Sequence, residues 1–231
     1  MKKLYLTLLL STSFVIVSCG GGGGGGGSAT TSVASTNTFD INSGYRKLIS
    51  TGYQKTYTLG GGCTGSMTRT VAPATTSATF EGINGFSAVS VATVSYTNCT
   101  PASSSSTQTR YYDTNYTPLG ASSASEYSVF NGIPKLPSSA RVGDVGIVGS
   151  QNTFTNNTKA TSTGREDTSY VMEADTATTA IVNFISQSYN STGNLTLTVQ
   201  NRYRVAADGT LTLLSFDVQY ALTSTFHLTG N

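Results

Sequence analysis

Apolar residues recur along this chain with two different periods. Over residues 40–52, Ile41, Tyr45, Leu48 and Ile49 fall at i, i+4, i+7 and i+8, which is one face of a helix. Asn42 or Ser43 can cap its start and Gly52 its end, while Gly44 weakens it. From Tyr53 onward the period changes to two, the spacing of a half-buried strand. Gln54 to Leu59 and Ser66 to Ala72 read as a hairpin ended by Pro73. Ala78 to Glu81 is extended, and Gly82 to Gly85 turns. Ser87 to Asn98 is a strand with Val89 and Val91 on one face and Ala88, Ala92, Val94 and Tyr96 on the other. Pro101 with Ser103 to Ser106 reads as a loop. Thr107 to Tyr116 is a strand closed by Pro118-Leu119-Gly120, and Glu126 to Phe130, Val145 to Phe154 and Ser169 to Ala174 continue the series.

The C-terminal third is the most regular. Ala180 to Tyr189 leads through Ser191–Asn194 into a strand where Leu195, Leu197, Val199, Tyr203 and Val205 alternate with Thr196, Thr198, Gln200, Arg202 and Arg204. Asp208-Gly209 is a tight-turn signal before Leu214, Phe216, Val218, Tyr220 and Leu222. One apolar and one polar face per strand means an antiparallel meander with a solvated side. The expected fold is therefore mainly β: a meander of about nine to ten strands curled into a barrel or half-barrel, with one short N-terminal helix covering it. A two-sheet β-sandwich is the alternative. The layout is loosely similar to that of half-barrel lipoproteins that carry lipids in the bacterial envelope, with no residue motif behind the likeness.

The N-terminus follows neither period. Met1-Lys2-Lys3 precedes an uncharged apolar run from Leu4 to Val17, the pattern of a secretory signal and shorter than a membrane span. Ile16-Val17-Ser18-Cys19 resembles the lipobox of bacterial lipoproteins. That resemblance implies cleavage before Cys19, a diacylglycerol thioether on its sulfur and acylation of the new amine. More than one chain gives lasting membrane attachment. No Asp follows the cysteine, so by the same resemblance the expected location is the outer membrane of a Gram-negative envelope, facing periplasm or cell surface. Gly20 to Gly27 and the uncharged residues 28–38 form a tether with a mean reach of about 24 Å. The expected organisation is a signal peptide (1–18), a lipidated cysteine with its tether (19–38) and one β domain (39–231).

Removing the signal also removes Lys2 and Lys3, so the formal charge falls from +2 to zero. A neutral domain without a Lys/Arg cluster argues against a nucleic-acid partner. Cys63 and Cys99 are the cysteines left after Cys19, and in an exported chain they read as one disulfide.

Candidate chemistry is sparse. The single histidine, His227, stands near the C-terminus without a nucleophile-elbow motif, so no catalytic residue is assigned. Glu166, Asp167, Glu173 and Asp175 lack calcium-loop spacing, so neither metal nor cofactor is expected. Tyr111, Tyr112, Asp113 and Tyr116 are the candidate ligand contacts, since rings with polar neighbours suit sugars. The expected function is a non-enzymatic binding or structural role at the envelope. The partner would be the membrane through the lipid, with a hydrophobic ligand, a lipid or an envelope protein at the domain. A surface adhesion or glycan-binding module is the alternative, and an envelope hydrolase has least behind it.

Overall fold

The computed structural model describes residues 34–221 and 225–230, the last six by their backbone alone. Cys19 and most of the tether lie outside the described residues. One helix, α1 (Ile41–Thr51), is followed by β1 (Tyr53–Gly61), β2 (Gly65–Val71), β3 (Thr76–Phe80), β4 (Ile83–Tyr96), β5 (Ser103–Asp113), β6 (Pro118–Ser123) and β7 (Tyr127–Phe130). Then come β8 (Val145–Phe154), β9 (Ser162–Ala174), β10 (Ala180–Asn190), β11 (Leu195–Val205), β12 (Leu211–Tyr220) and β13 (Thr225–Gly230).

All pairings are antiparallel and mostly sequential, as short hairpin connections require. Two non-sequential pairings turn the meander into a barrel: β1 lies on β13, and β2 lies on β4. Strand β3 stands outside the ring, paired with the first half of β4 through the turn Glu81-Gly82, whose φ angles are 49° and 79°. That is the backbone a two-residue primed turn demands. The sandwich alternative is thereby excluded, because one continuous sheet carries every strand.

The structure has more strands than the pattern showed. Ser103 to Ser106, read as a loop, is the start of β5, paired with Ser95 to Ala92 of β4. Pro118-Leu119-Gly120, read as a closing turn, begins β6, and a bulge opposite Tyr111 and Tyr112 absorbs Leu119. Gly82 to Gly85, read as a turn, splits between the β3–β4 turn and β4 itself. In β12 a second irregularity opposite Arg202 and Tyr203 makes Leu214 the extra residue. Leu211 and Leu213 therefore face inward before it, and Phe216 and Val218 after it.

Helix α1 closes part of one end. Its N-cap is Asp40, not Asn42 or Ser43 as the sequence suggested, and it accepts from the Ser43 amide at 2.9 Å. Gly52 caps the C-terminus with φ 67° and donates to the Leu48 carbonyl. Gly44 costs helix propensity but permits contact: a Cβ there would lie 2.0 Å from the Gly209 carbonyl oxygen of the β11–β12 turn. Phe39, fully buried, bridges to Ala140 and anchors the chain entering the helix.

The core is divided. One cluster, around Tyr57, Met67, Val199 and Phe216, lies under the strand ends near the disulfide. A second, with Phe39, Ile41, Met172 and Val205, joins the helix to β9–β12. A third, with Ile49, Val71, Ala88 and Tyr112, seats its other flank. The disulfide is formed as expected: Cys63 and Cys99 join with Cα atoms 5.8 Å apart, tying the β1–β2 turn to the end of β4.

Candidate functional site: the barrel lumen

Strand pairing fixes which side chains face inward. Arg69 stands opposite Ala92, Ala88 opposite Arg110, and Arg110 opposite Ala121. Ser128 stands opposite Ala121 and Thr153, Gln151 opposite Glu166, and Thr168 opposite Ser186. Period two then sends these residues into one interior. Large side chains alternate with Ala and Ser across this belt, so the middle of the barrel is left unfilled. A partly open cavity of about 160 Å³ results.

Its wall is of two kinds. Phe130, Leu136, Val148 and Phe184 give apolar surface. Arg69, Arg110, Glu126, Glu166, Gln151 and Asn201 give polar surface. Arg69 is 4% exposed, yet no carboxylate among the described residues lies within salt-bridge distance of it or of Arg110. Arg110 donates from Nε to the Gln108 side chain at 3.2 Å. Asn201 Oδ1 is buried on this wall without a hydrogen-bond partner, while the buried Tyr112 hydroxyl faces that of Tyr45. Polar groups rarely stay buried and unpaired, so the Asn201 oxygen calls for something to meet it.

Two carboxyls share the cavity. Burial pushes Glu126 up to about 7. Burial, and then the nearby Glu126, push Glu166 up to about 8, against an opposing pull from Arg110. Near neutrality Glu166 therefore keeps its proton while both guanidiniums stay charged.

The sequence-derived candidates are scattered by this geometry. Tyr111 and Tyr112 point to opposite faces of β5. Tyr112 is buried inside, whereas the Tyr111 ring is stacked under Phe80 at 4.3 Å on the outer side. Tyr116 sits on a turn with φ 60° and stacks on Phe86. Asp113 holds that turn, its Oδ1 accepting from the amides of Asn115 and Thr117. The four form no shared ring platform, and of the β5 pair only Tyr112 turns inward. Asp167 accepts from Arg165 on the outer side, away from its neighbour Glu166, and no group of three metal-ligating side chains occurs among the described residues. His227 stands opposite Gly60 in β13, and its side chain lies outside the described residues. What the sequence reading missed is the inward pair Arg69 and Arg110. Arg69 falls between Met67 and Val71 at period two, a charged residue at an otherwise apolar position, and that was the available signal; Arg110, between Gln108 and Tyr112, carried none of that kind.

Neither a family model, a curated protein nor a solved structure matches this chain.

Proposed function

We infer that this chain is a lipid-anchored envelope protein, held by Cys19 at the outer membrane, that acts without catalysis by holding a small ligand in its barrel. The observation that carries this is the partly open, partly polar cavity at the centre of an otherwise closed barrel. A cavity of this size holds about one six-membered ring. That favours a small amphipathic ligand over the acyl chain of a membrane lipid. The barrel wall supports a domain standing in water on its tether. Arg202 pairs with Glu173 and Asp217, Arg204 with Asp175, and Arg165 with Asp167, all on the outer side of β9–β12 where a membrane-spanning barrel carries an apolar band.

Two measurements test the reading. Cys19→Ala should move the protein from the membrane fraction to the soluble fraction, and retention on membranes would refute the anchor. Native mass spectrometry of the full chain should show a co-purified small molecule or uptake of one, and a chain that stays empty across a broad small-molecule library would refute the lumen as a receptor. A hydrolase is the second reading, favoured by the raised Glu126 and Glu166 carboxyls. It requires turnover that Glu166→Gln abolishes.

A further inference from the structure

We propose that the lumen is a receptor for a small organic carboxylate, a single ring or branched chain bearing one anionic group, gripped by Arg69 and Arg110. The proposal rests on the lumen being a ligand site and names the chemical class of what enters it.

The argument begins with charge. Arg69 is 4% exposed as a whole residue, so its guanidinium keeps little water, and burying a charge is costly unless something pairs with it. Elsewhere in this barrel the chain supplies such partners: Arg202 reaches Glu173 and Asp217 although it is more exposed than Arg69. Inside the lumen it does not. Arg69 and Arg110 come from different strands, β2 and β5, with only β4 between them, and both border one cavity. The carboxyls on the same wall do not cancel them, since burial holds Glu166 protonated near neutrality and Glu126 partly so. The cavity therefore carries an excess of positive charge in a place of low dielectric.

Shape and the remaining polar groups narrow the class. The planar fork of an arginine matches a carboxylate in two parallel hydrogen bonds. The unpaired Asn201 Oδ1 offers a further position, for a donor on the ligand. Phe130, Val148 and Phe184 supply apolar wall for the rest of the ligand. The volume, about 160 Å³, accommodates one ring and is too small to enclose a disaccharide or a nucleotide.

The test is calorimetric titration of the full chain, in detergent, with benzoate, benzyl alcohol and inorganic phosphate as probes. Benzoate should bind at one site per chain, at least tenfold tighter than benzyl alcohol and than phosphate. Raising the salt should weaken benzoate far more than benzyl alcohol. Arg69→Gln and Arg110→Gln should each weaken benzoate tenfold or more while leaving benzyl alcohol within about twofold. The comparison of probes on the unaltered protein stands even if a variant fails to fold. Equal binding of benzoate and benzyl alcohol would overturn the carboxylate and leave the lumen receptor intact. Tighter binding of phosphate than of benzoate would overturn the organic carboxylate in favour of a bare oxyanion. Binding of none of the three would overturn the proposal, while the library screen above decides separately whether the lumen takes any ligand.

Discussion

Replacing Glu166 by Gln should make the protein more stable at alkaline pH and leave it unchanged at acid pH. Glutamine keeps the shape and hydrogen-bonding capacity of the protonated acid and removes the option of ionising. In the folded barrel burial raises this carboxyl to about 8, from an ordinary value of 4.5. Between those values the folded chain holds a proton that the unfolded chain has lost. Raising the pH therefore favours the unfolded state, by about 1.4 kcal/mol per pH unit for one proton. The full interval corresponds to about 4–5 kcal/mol, and relaxation of the pocket with entry of water reduces this to roughly 2–4 kcal/mol. The stability is present in full below pH 4.5 and is lost by pH 8. Urea unfolding of both proteins at pH 5 and pH 8.5, with the disulfide intact, reads the effect as a shift in midpoint at constant slope. Asp175 and Glu81, both lowered by their basic partners, contribute in the opposite sense at lower pH and cancel between variant and parent. The variant should lie within about 1 kcal/mol of the parent at pH 5 and exceed it by about 2 kcal/mol or more at pH 8.5. An offset that is the same at both pH values would refute the buried, protonated carboxyl.

Three further substitutions probe other parts of the fold. Gly44→Ala should destabilise by about 1–3 kcal/mol despite improving helix propensity, because its Cβ would meet the Gly209 carbonyl at 2.0 Å. Stabilisation in a thermal melt would mean the helix does not rest on that turn. Removing the disulfide by Cys63→Ser with Cys99→Ser should cost about 3–4 kcal/mol from the loop it closes, measured as a urea midpoint that no longer responds to reductant. Tyr127→Phe removes a hydroxyl that donates to Glu81 at 2.6 Å beneath the folded-over β3 hairpin. A loss of about 1–2 kcal/mol is expected, and no change on unfolding would place that hairpin off the barrel wall.

The parts of the fold visible in the sequence are those where one face of a strand is apolar. Strands β10 to β12 obey this, with Val182, Val199 and Val205 inward and the Arg202 network outward, and their hairpin turns are local signals. The helix was visible for the same reason. Strand β5 obeys no such rule, because Ser104, Ser106, Gln108 and Arg110 face the interior between polar residues that face solvent. A strand polar on both faces carries no period, so its first half read as a loop. The curl into a barrel was legible in the edge problem of a long meander, but the strands that close it were not: the β2–β4 and β1–β13 pairings join segments whose register no turn fixes. Gly44 shows the same limit on a smaller scale, since its value depends on a carbonyl that lies more than 160 residues away along the chain.

The polar interior and the divided core are one fact seen from two sides. A barrel packed with apolar side chains throughout would have merged the three clusters into one. Here the clusters occupy the disulfide end and the helix-covered flanks, and the belt between them is given to Arg69, Arg110, Glu126 and Glu166. Buried charge of this kind lowers stability relative to a hydrophobic filling of equal volume. The fold offsets it elsewhere, through closure of the ring and a disulfide at its rim. A chain that only needed to hold its shape would gain from Leu or Met at positions 69 and 110. Substituting both with Met should therefore stabilise the barrel in urea while abolishing benzoate binding. A double variant that loses stability instead would show that the two guanidiniums serve the fold itself, and the case for a ligand between them would fall.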